Sequence, residues 1–419
     1  MKMLISVIVA ALCILGAVKA AADDTESWTD RLALTGWAET VSSFRTSDPG
    51  DALTARARMR LELSGRFDAF YGLISADAEK NWKIDDESGV DLHEAWLEYA
   101  SEGWDVRLGR QIIIWGKADG VQITDIISPP DYTESITRDL DEIRLPVDAV
   151  KLRLLGEYVD TELIWIPVFE AAVLPTGDNP WAVAKVLPAN VRACVASVDE
   201  PDTSFENSEI ALKVSAFLSG LDVAASVFYT WDDYPTARRT AWSDGDIINV
   251  AYAPEHHRLT VFGLDFSRPW SDFVFRGEAA YYKGRYYETT SLYENPVAKD
   301  AVKWLIGSDW TPGDDWTVIV QLTGDYIIDR EQCMADKAST LMATLNVSKK
   351  LLRQTLTLSN MVYYGIDDNE LYNRAKAEYA VTDAFHLSVG VDAFQGDRDG
   401  QFGVYEENTQ VWIKAKYCF

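Results

Sequence analysis

Apolar and polar residues alternate along most of this chain with a period of two. The end shows it plainly: Val411, Ile413, Ala415, Tyr417 and Phe419 are apolar, with Trp412, Lys414 and Lys416 interleaved. Successive side chains of a pleated strand point to opposite sides, so this is a strand with one greasy and one wet face. Eighteen such segments are expected, at 31–46, 52–66, 70–82, 90–100, 104–115, 149–155, 159–169, 208–218, 221–232, 256–268, 272–286, 299–310, 316–328, 339–350, 355–364, 372–380, 385–394 and 409–419.

The connections alternate in length. Ser101-Glu102-Gly103, Gly156-Glu157-Tyr158, Ser219-Gly220, Pro269-Trp270-Ser271, Thr311 to Asp315 and Thr382-Asp383 are tight, and those on the other side are mostly longer and carry much of the acidic excess. Short turns at one end, long loops at the other and an even strand number describe a transmembrane β-barrel of the outer-membrane kind. A propeller or solenoid would repeat a motif, and none is visible. The expected fold is all-β: an antiparallel barrel of about eighteen strands, with sixteen as the alternative count, and with one or two loops folded into the lumen.

Alternation also assigns faces. In 52–66, Ala55, Ala57, Met59, Leu61 and Leu63 share one face, and Arg56, Arg58, Arg60, Glu62 and Ser64 the other. An arginine facing lipid at mid-bilayer costs about 2–4 kcal/mol, so the arginines are assigned to a hydrated lumen. Asp77, Glu79, Lys151, Arg153, Asp265, Glu278, Arg374, Lys376 and Glu378 take the same polar phase. Segments 104–115 and 355–364 lose phase partway, and a bulge near Gly109-Arg110 would explain the first. Closure sets the last strand beside the first. Lys414 and Lys416 then join Arg56, Arg58 and Arg60, with Arg374 and Lys376 two strands away. Together with Lys151 and Arg153 they form a candidate substrate path. Two readings stay open: a basic track for anions, or lumen charge neutralised by Glu39, Glu62, Asp77, Glu79 and Glu378.

Two connections are too long for simple loops, 116–148 and 170–207, and long ordered loops in compact folds are commonly functional. Short helices are expected at Ser135 to Ile143 and Ala182 to Ala196, the second interrupted by Pro188. A barrel this wide holds an aqueous channel unless something fills it. These segments are expected to fold inward and build a constriction, with Gln111, Trp115, Asp131 and Arg144 as its candidate residues.

The N-terminus reads as a cleaved signal peptide over 1–22: Lys2, an apolar run from Met3 to Val18, then Lys19 and three alanines. Residues 23–419 would be one barrel domain. Net charge is −27 and becomes about −29 without the leader's two lysines, which excludes a nucleic-acid partner. Cys194, Cys333 and Cys418 make an odd set without regular spacing, although Cys194 and Cys333 could pair. No cofactor is expected, because no CxxC, haem or zinc spacing occurs. Acidic runs such as Asp85-Asp86-Glu87 lack a calcium-loop spacing. The four histidines offer little to a hydrolase: His93 falls on an apolar phase, His256-His257 sits where a loop enters a strand, and His386 lies near a turn. No enzyme is expected.

Gly109-Arg110-Gln111-Ile112-Ile113-Ile114-Trp115-Gly116 leads to Ser128-Pro129-Pro130-Asp131, then to Arg144-Leu145-Pro146. This run resembles a proteobacterial outer-membrane β-barrel family of unknown function with a G-R-Q-x-x-x-W-G element. That family is similar in architecture to alginate-export-type porins, which implies passage of bulky or acidic molecules. The expected function is an outer-membrane channel or substrate-specific porin in a Gram-negative bacterium. The alternatives are a barrel hydrolase, or a plugged barrel with a scaffolding or adhesive role. Expected partners are outer-membrane lipid and lipopolysaccharide, and the barrel-assembly machinery through the strand ending at Phe419. Nothing identifies an oligomer interface.

Overall fold

A computed structural model describes residues 31–48, 50–183 and 187–419; the expected leader lies outside the described residues. The strands are β1 (Leu32–Arg45), β2 (Ala52–Phe67), β3 (Phe70–Asn81), β4 (Gly89–Ser101), β5 (Trp104–Gln111), β6 (Val147–Leu154), β7 (Val159–Ile166), β8 (Val191–Val195), β9 (Glu209–Leu218), β10 (Leu221–Trp231), β11 (Thr236–Asp244), β12 (Ile247–Glu255), β13 (Arg258–Trp270), β14 (Phe273–Tyr287), β15 (Val297–Trp310), β16 (Trp316–Ile327), β17 (Ser339–Leu351), β18 (Leu356–Gly365), β19 (Glu370–Ala380), β20 (Phe385–Gln395) and β21 (Gln410–Cys418). All but β8, β11 and β12 join one antiparallel sheet of eighteen strands. The sheet closes on itself. β21 pairs with β1, Trp37 opposite Cys418, and Phe419 exchanges two 2.9 Å backbone hydrogen bonds with Gly36. Closure leaves no open edge, as a bilayer requires of any spanning sheet.

Outward positions are apolar and exposed, and inward ones are covered. In β13, Phe262, Leu264 and Phe266 are exposed while Val261, Gly263 and Asp265 are buried. Aromatic rings gather at the short-turn end, where Phe70, Tyr99 and Trp104 form one group and Phe273, Phe275 and Trp310 another. On β16, Trp316 at that end and Tyr326 at the loop end share the outer face. Ten residues separate them, about 33 Å of strand, which a tilted strand reduces to roughly the 25 Å apolar band of such barrels.

The eighteen expected barrel strands are all present, and five expectations change. The run 191–195 is the strand β8, where a helix over Ala182 to Ala196 was expected. It pairs in parallel with β12 of the β11–β12 hairpin, and this separate three-stranded sheet lies outside the barrel. The β-branched Val191 and Val195 suit an extended chain. The expected helix at Ser135 to Ile143 shrinks to a 3₁₀ turn, Ser135–Thr137, and one helical turn, Leu140–Ile143. Pairing across Gly109 is continuous. Its φ of +124° lets the backbone come so close that a Cβ would lie 2.2 Å from the Ala95 carbonyl oxygen. The bulge lies instead in β4, where the register passes from Glu94 to Leu92 and leaves His93 unpaired. That extra residue turns His93 into the lumen, 3.7 Å from Asp77; it does not face lipid. Finally, Cys194, Cys333 and Cys418 are all free thiols.

Candidate functional site

The connection from β5 to β6 is the structural centre of the lumen. Its apolar residues explain why it folds inward. Ile113, Trp115 and Ile127 pack on Ile164, Ile166, Ala211 and Phe228, which are inward residues of β7, β9 and β10. Further along, Ile123 packs on Leu259, Val261, Tyr282 and Leu305 of β13, β14 and β15. Full burial of one such side chain is worth about 1.5–3 kcal/mol, so this side of the lumen is sealed by a second hydrophobic layer.

Polar anchors then hold the segment against the rest of the wall. The Glu278 carboxylate accepts hydrogen bonds from the backbone N–H groups of Lys117, Ala118 (2.7 Å) and Thr124 (3.0 Å) and from the Thr124 hydroxyl (2.8 Å). Gln321 of β16 accepts from the Asp119 N–H at 2.9 Å and donates to its carbonyl at 2.7 Å. Tyr363 of β18 donates to the Gly120 carbonyl at 2.9 Å. On the far side Arg56 reaches Glu134 at 2.8 Å and Glu39 at 3.5 Å, while Lys414 reaches Glu142 at 3.0 Å. Burial works against ionisation of Glu142, but Lys414 and Arg56 outweigh it and hold its carboxyl down to about 2. Burial likewise opposes ionisation of Glu134, and Arg138 and Arg56 overcome it, so its pKa is lowered.

What the segment leaves open is a cavity of about 890 Å³ against β17, β18 and β19. On β18 the inward residues Thr357, Ser359, Met361, Tyr363 and Gly365 all line it. On β19 Glu370, Tyr372, Arg374, Lys376 and Glu378 do the same. Eight residues of strand span about 26 Å, so the cavity follows β18 for nearly its whole length. β18 therefore keeps strict alternation. Its phase looks lost in sequence because Met361 and Tyr363 face inward while Asn360 faces outward, where Asn360 and Asn373 of β19 exchange amide hydrogen bonds at 3.3 and 3.1 Å.

The sequence-selected cations divide by place. Arg374 and Lys376 line the cavity. Arg56 and Lys414 lie behind the inward segment, around a void of about 30 Å³. Seven of the nine have carboxylate partners. Beyond Arg56 and Lys414, Arg58 and Arg60 share Asp77 (2.6 Å from Arg60), Arg153 holds Asp105 at 2.8 Å, Arg374 lies 3.8 Å from both Asp139 and Asp392, and Lys376 lies 3.5 Å from Glu378. Lys416 sits over the Trp37 ring at 4.4 Å, and Lys151 is buried beside Arg107. The nine therefore do not form one continuous basic surface along the cavity.

Of the acidic set, Asp77 and Glu278 have the partners given above, and Asp265 takes Lys213 at 3.1 Å and Lys117 at 3.4 Å. Glu79 accepts from the Asn81 amide at 3.2 Å, and Glu62 sits half-buried opposite Thr35 and Ser75. Gln111, Trp115 and Asp131 staple the segment without lining the cavity. Gln111 donates to the Ala149 carbonyl at 3.0 Å, the Trp115 indole N–H donates to Glu162, and Asp131 pairs with Arg138 at 3.1 Å. Arg144 does line the cavity, held by Asp125 at 2.7 Å. Among the histidines, His256 is buried with Nδ1 2.8 Å from the Asp232 carbonyl oxygen, His257 stacks on Tyr286, and His386 lies 3.8 Å from Glu378. Sequence reasoning missed Asp119 and Asn346, which line the cavity together with Asp367.

The profile of a protein family described as "Protein of unknown function (DUF1302)" matches residues 75–404. This chain belongs to the DUF1302 family. The matched span includes the whole inward segment and the Gly109 to Gly116 run. None of the curated proteins matches the chain. Among solved structures, it is similar to the outer-membrane channel DcaP of Acinetobacter baumannii at 10% identity and a TM-score of 0.45, covering 93% of this chain and 97% of that one. It is also similar to Salmonella typhi OmpF in complex with daunomycin, at 11% identity, a TM-score of 0.46 and coverage of 94% and 100%. A mutant of the Rh. blastica porin gives 12% identity, a TM-score of 0.42 and coverage of 93% and 100%.

Proposed function

We propose that this DUF1302 protein is an outer-membrane channel that passes small polar solutes by diffusion along the wall formed by β17, β18 and β19. The observation that carries the reading is the cavity lined by the inward residues of β18 from Thr357 to Gly365 and of β19 from Glu370 to Glu378. Its lining supports an aqueous path. Hydroxyl groups of Ser348, Thr357 and Ser359 and charged residues of both signs replace part of a solute's hydration shell along it.

The inward segment packs across the wall of β7, β9, β10, β13, β14 and β15, so passage of bulky solutes, as kinship with alginate-export-type porins would imply, would require that segment to move. A basic track for acidic solutes is not part of the reading, because seven of the nine cations already face carboxylates. Outer-membrane insertion after export with a cleaved leader, contact with lipopolysaccharide, and assembly through the strand ending at Phe419 belong to the same proposal.

The test is planar-bilayer recording of the purified, heat-modifiable barrel. Discrete conductance steps are expected. Folded protein that inserts yet never conducts would mean that the inward segment plugs the barrel.

A further inference from the structure

We infer that the path prefers cations to anions and that Asp119 sets this preference about half-way along it; the inference rests on the channel reading above. Eleven carboxylates and six cationic side chains line the cavity. Burial, with Glu209 and Asp232 adding to it, pushes the Asp233 carboxyl well above the usual carboxylate range. Carboxylates still outnumber cations when Asp233 is neutral.

The pairing matters more than the count. Every one of the six cations is already engaged. Arg138 holds Asp131 and Glu134 at 3.1 and 3.3 Å, Arg144 holds Asp125 at 2.7 Å, and Arg285 holds Asp232 at 3.1 Å. Lys303 lies 3.4 Å from Asp325, and Arg374 and Lys376 have the partners described above. An anion entering the cavity therefore meets no unpaired positive charge on its lining. By contrast, Asp119 and Asp367 line the cavity with no ion pair among the described residues.

Asp119 is the better placed of the two. Gln321 grips its backbone on both sides, and the Tyr363 hydroxyl holds the next carbonyl. Asn346 of β17 donates to one carboxylate oxygen, Oδ2, at 3.0 Å. No protein donor among the described residues takes the other oxygen. Gln321 and Asn346 both lie near the middle of their strands, so a fixed carboxylate stands about half-way along the path. The neighbouring cations make their ion pairs elsewhere: Lys117 lies 3.4 Å from Asp265, and Arg276 pairs with Asp309 while still feeling the Asp119 charge at longer range. A fixed charge without a contact ion pair between low-dielectric walls focuses potential, attracting ions of opposite sign and repelling like ones. Asp367, on the exposed turn between β18 and β19, adds the same sign at the loop-end mouth.

The experiment is a reversal-potential measurement on the full folded protein in a KCl gradient, with heat-modifiability on a gel as the folding check for each variant. Wild type is expected to pass K⁺ over Cl⁻ by at least about threefold. Asp119→Asn keeps an acceptor for Asn346 and should lower that ratio by about twofold or more, while Asp119→Glu should keep it. Asp367→Asn, on an exposed turn, should lower the ratio at low salt and lose its effect at about 1 M, where the screening length falls to about 3 Å. Anion preference in wild type, or an Asp119→Asn ratio equal to wild type, would overturn the inference while leaving a conducting channel. If Asp119→Asn does not fold, an Asp367→Asn ratio equal to wild type at low salt overturns it. Folded protein without any conductance would remove the channel reading and this inference together.

Discussion

Glu278→Ala should free the inward segment from the wall without unfolding the barrel. Its carboxylate is the acceptor for three backbone N–H groups and one hydroxyl of residues 117–124, and the side chain is almost fully buried. Hydrogen bonds to a charged group contribute about 1.5–3 kcal/mol each. Water entering the space that alanine leaves re-solvates part of what is abandoned, so the net loss should fall well below the sum of the four, on the order of 3 kcal/mol. That is roughly a hundredfold in the local opening equilibrium. Hydrogen exchange read by mass spectrometry should therefore show peptides covering 116–125 exchanging about a hundredfold faster, with β16 peptides unchanged. Glu278→Gln, which keeps one acceptor oxygen, should fall between. Channel recordings should show larger and noisier steps in the alanine variant. Exchange of 116–125 at the wild-type rate in an intact Glu278→Ala barrel would refute the idea that this carboxylate anchors the segment.

The Glu142 carboxyl, depressed from 4.5 to about 2 in the folded protein, contributes stability that is present above its unfolded pKa and lost as pH falls from about 4.5 towards 2. The melting-temperature gap between wild type and Glu142→Gln should accordingly be full at pH 6 and shrink below pH 4. Asn360→Ala leaves the Asn373 amide unpaired on the lipid side and should cost about 0.6–2 kcal/mol in reversible unfolding from micelles; the double replacement Asn360→Leu with Asn373→Leu should recover most of it.

The barrel was legible because lipid punishes charge. The row Arg56, Arg58, Arg60 admits only one face, and the register of β1, β2 and β3 follows from it. Alternation failed where a polar group satisfied itself, as Asn360 does with Asn373, and where one residue was inserted, as at His93. It also passed over a signal that is present in the sequence. Ile164, Ile166, Leu259 and Val261 lie on strands whose other face is apolar too. A wall between lipid and water needs one apolar face, so two mark where the inward segment lies. The site itself was less legible. Asp119 meets Asn346 across 227 residues of chain, and an irregular segment has no period from which such a meeting can be read. The β11–β12 hairpin and β8 were hidden for a related reason: their sheet stands outside the barrel and follows no membrane pattern.

The most direct test of the account is thiol accessibility along β18, in a background with Cys194, Cys333 and Cys418 replaced by serine. Single cysteines at 357 to 364 would be probed in proteoliposomes with a membrane-impermeant reagent small enough for the path. The account predicts labelling at Thr357, Ser359, Met361 and Tyr363 and protection at Leu358, Asn360, Val362 and Tyr364, with the labelled positions reached from either side. Labelling that stops at Met361 from both sides, or that shows no two-residue alternation, would contradict a continuous aqueous path behind a lipid-facing wall.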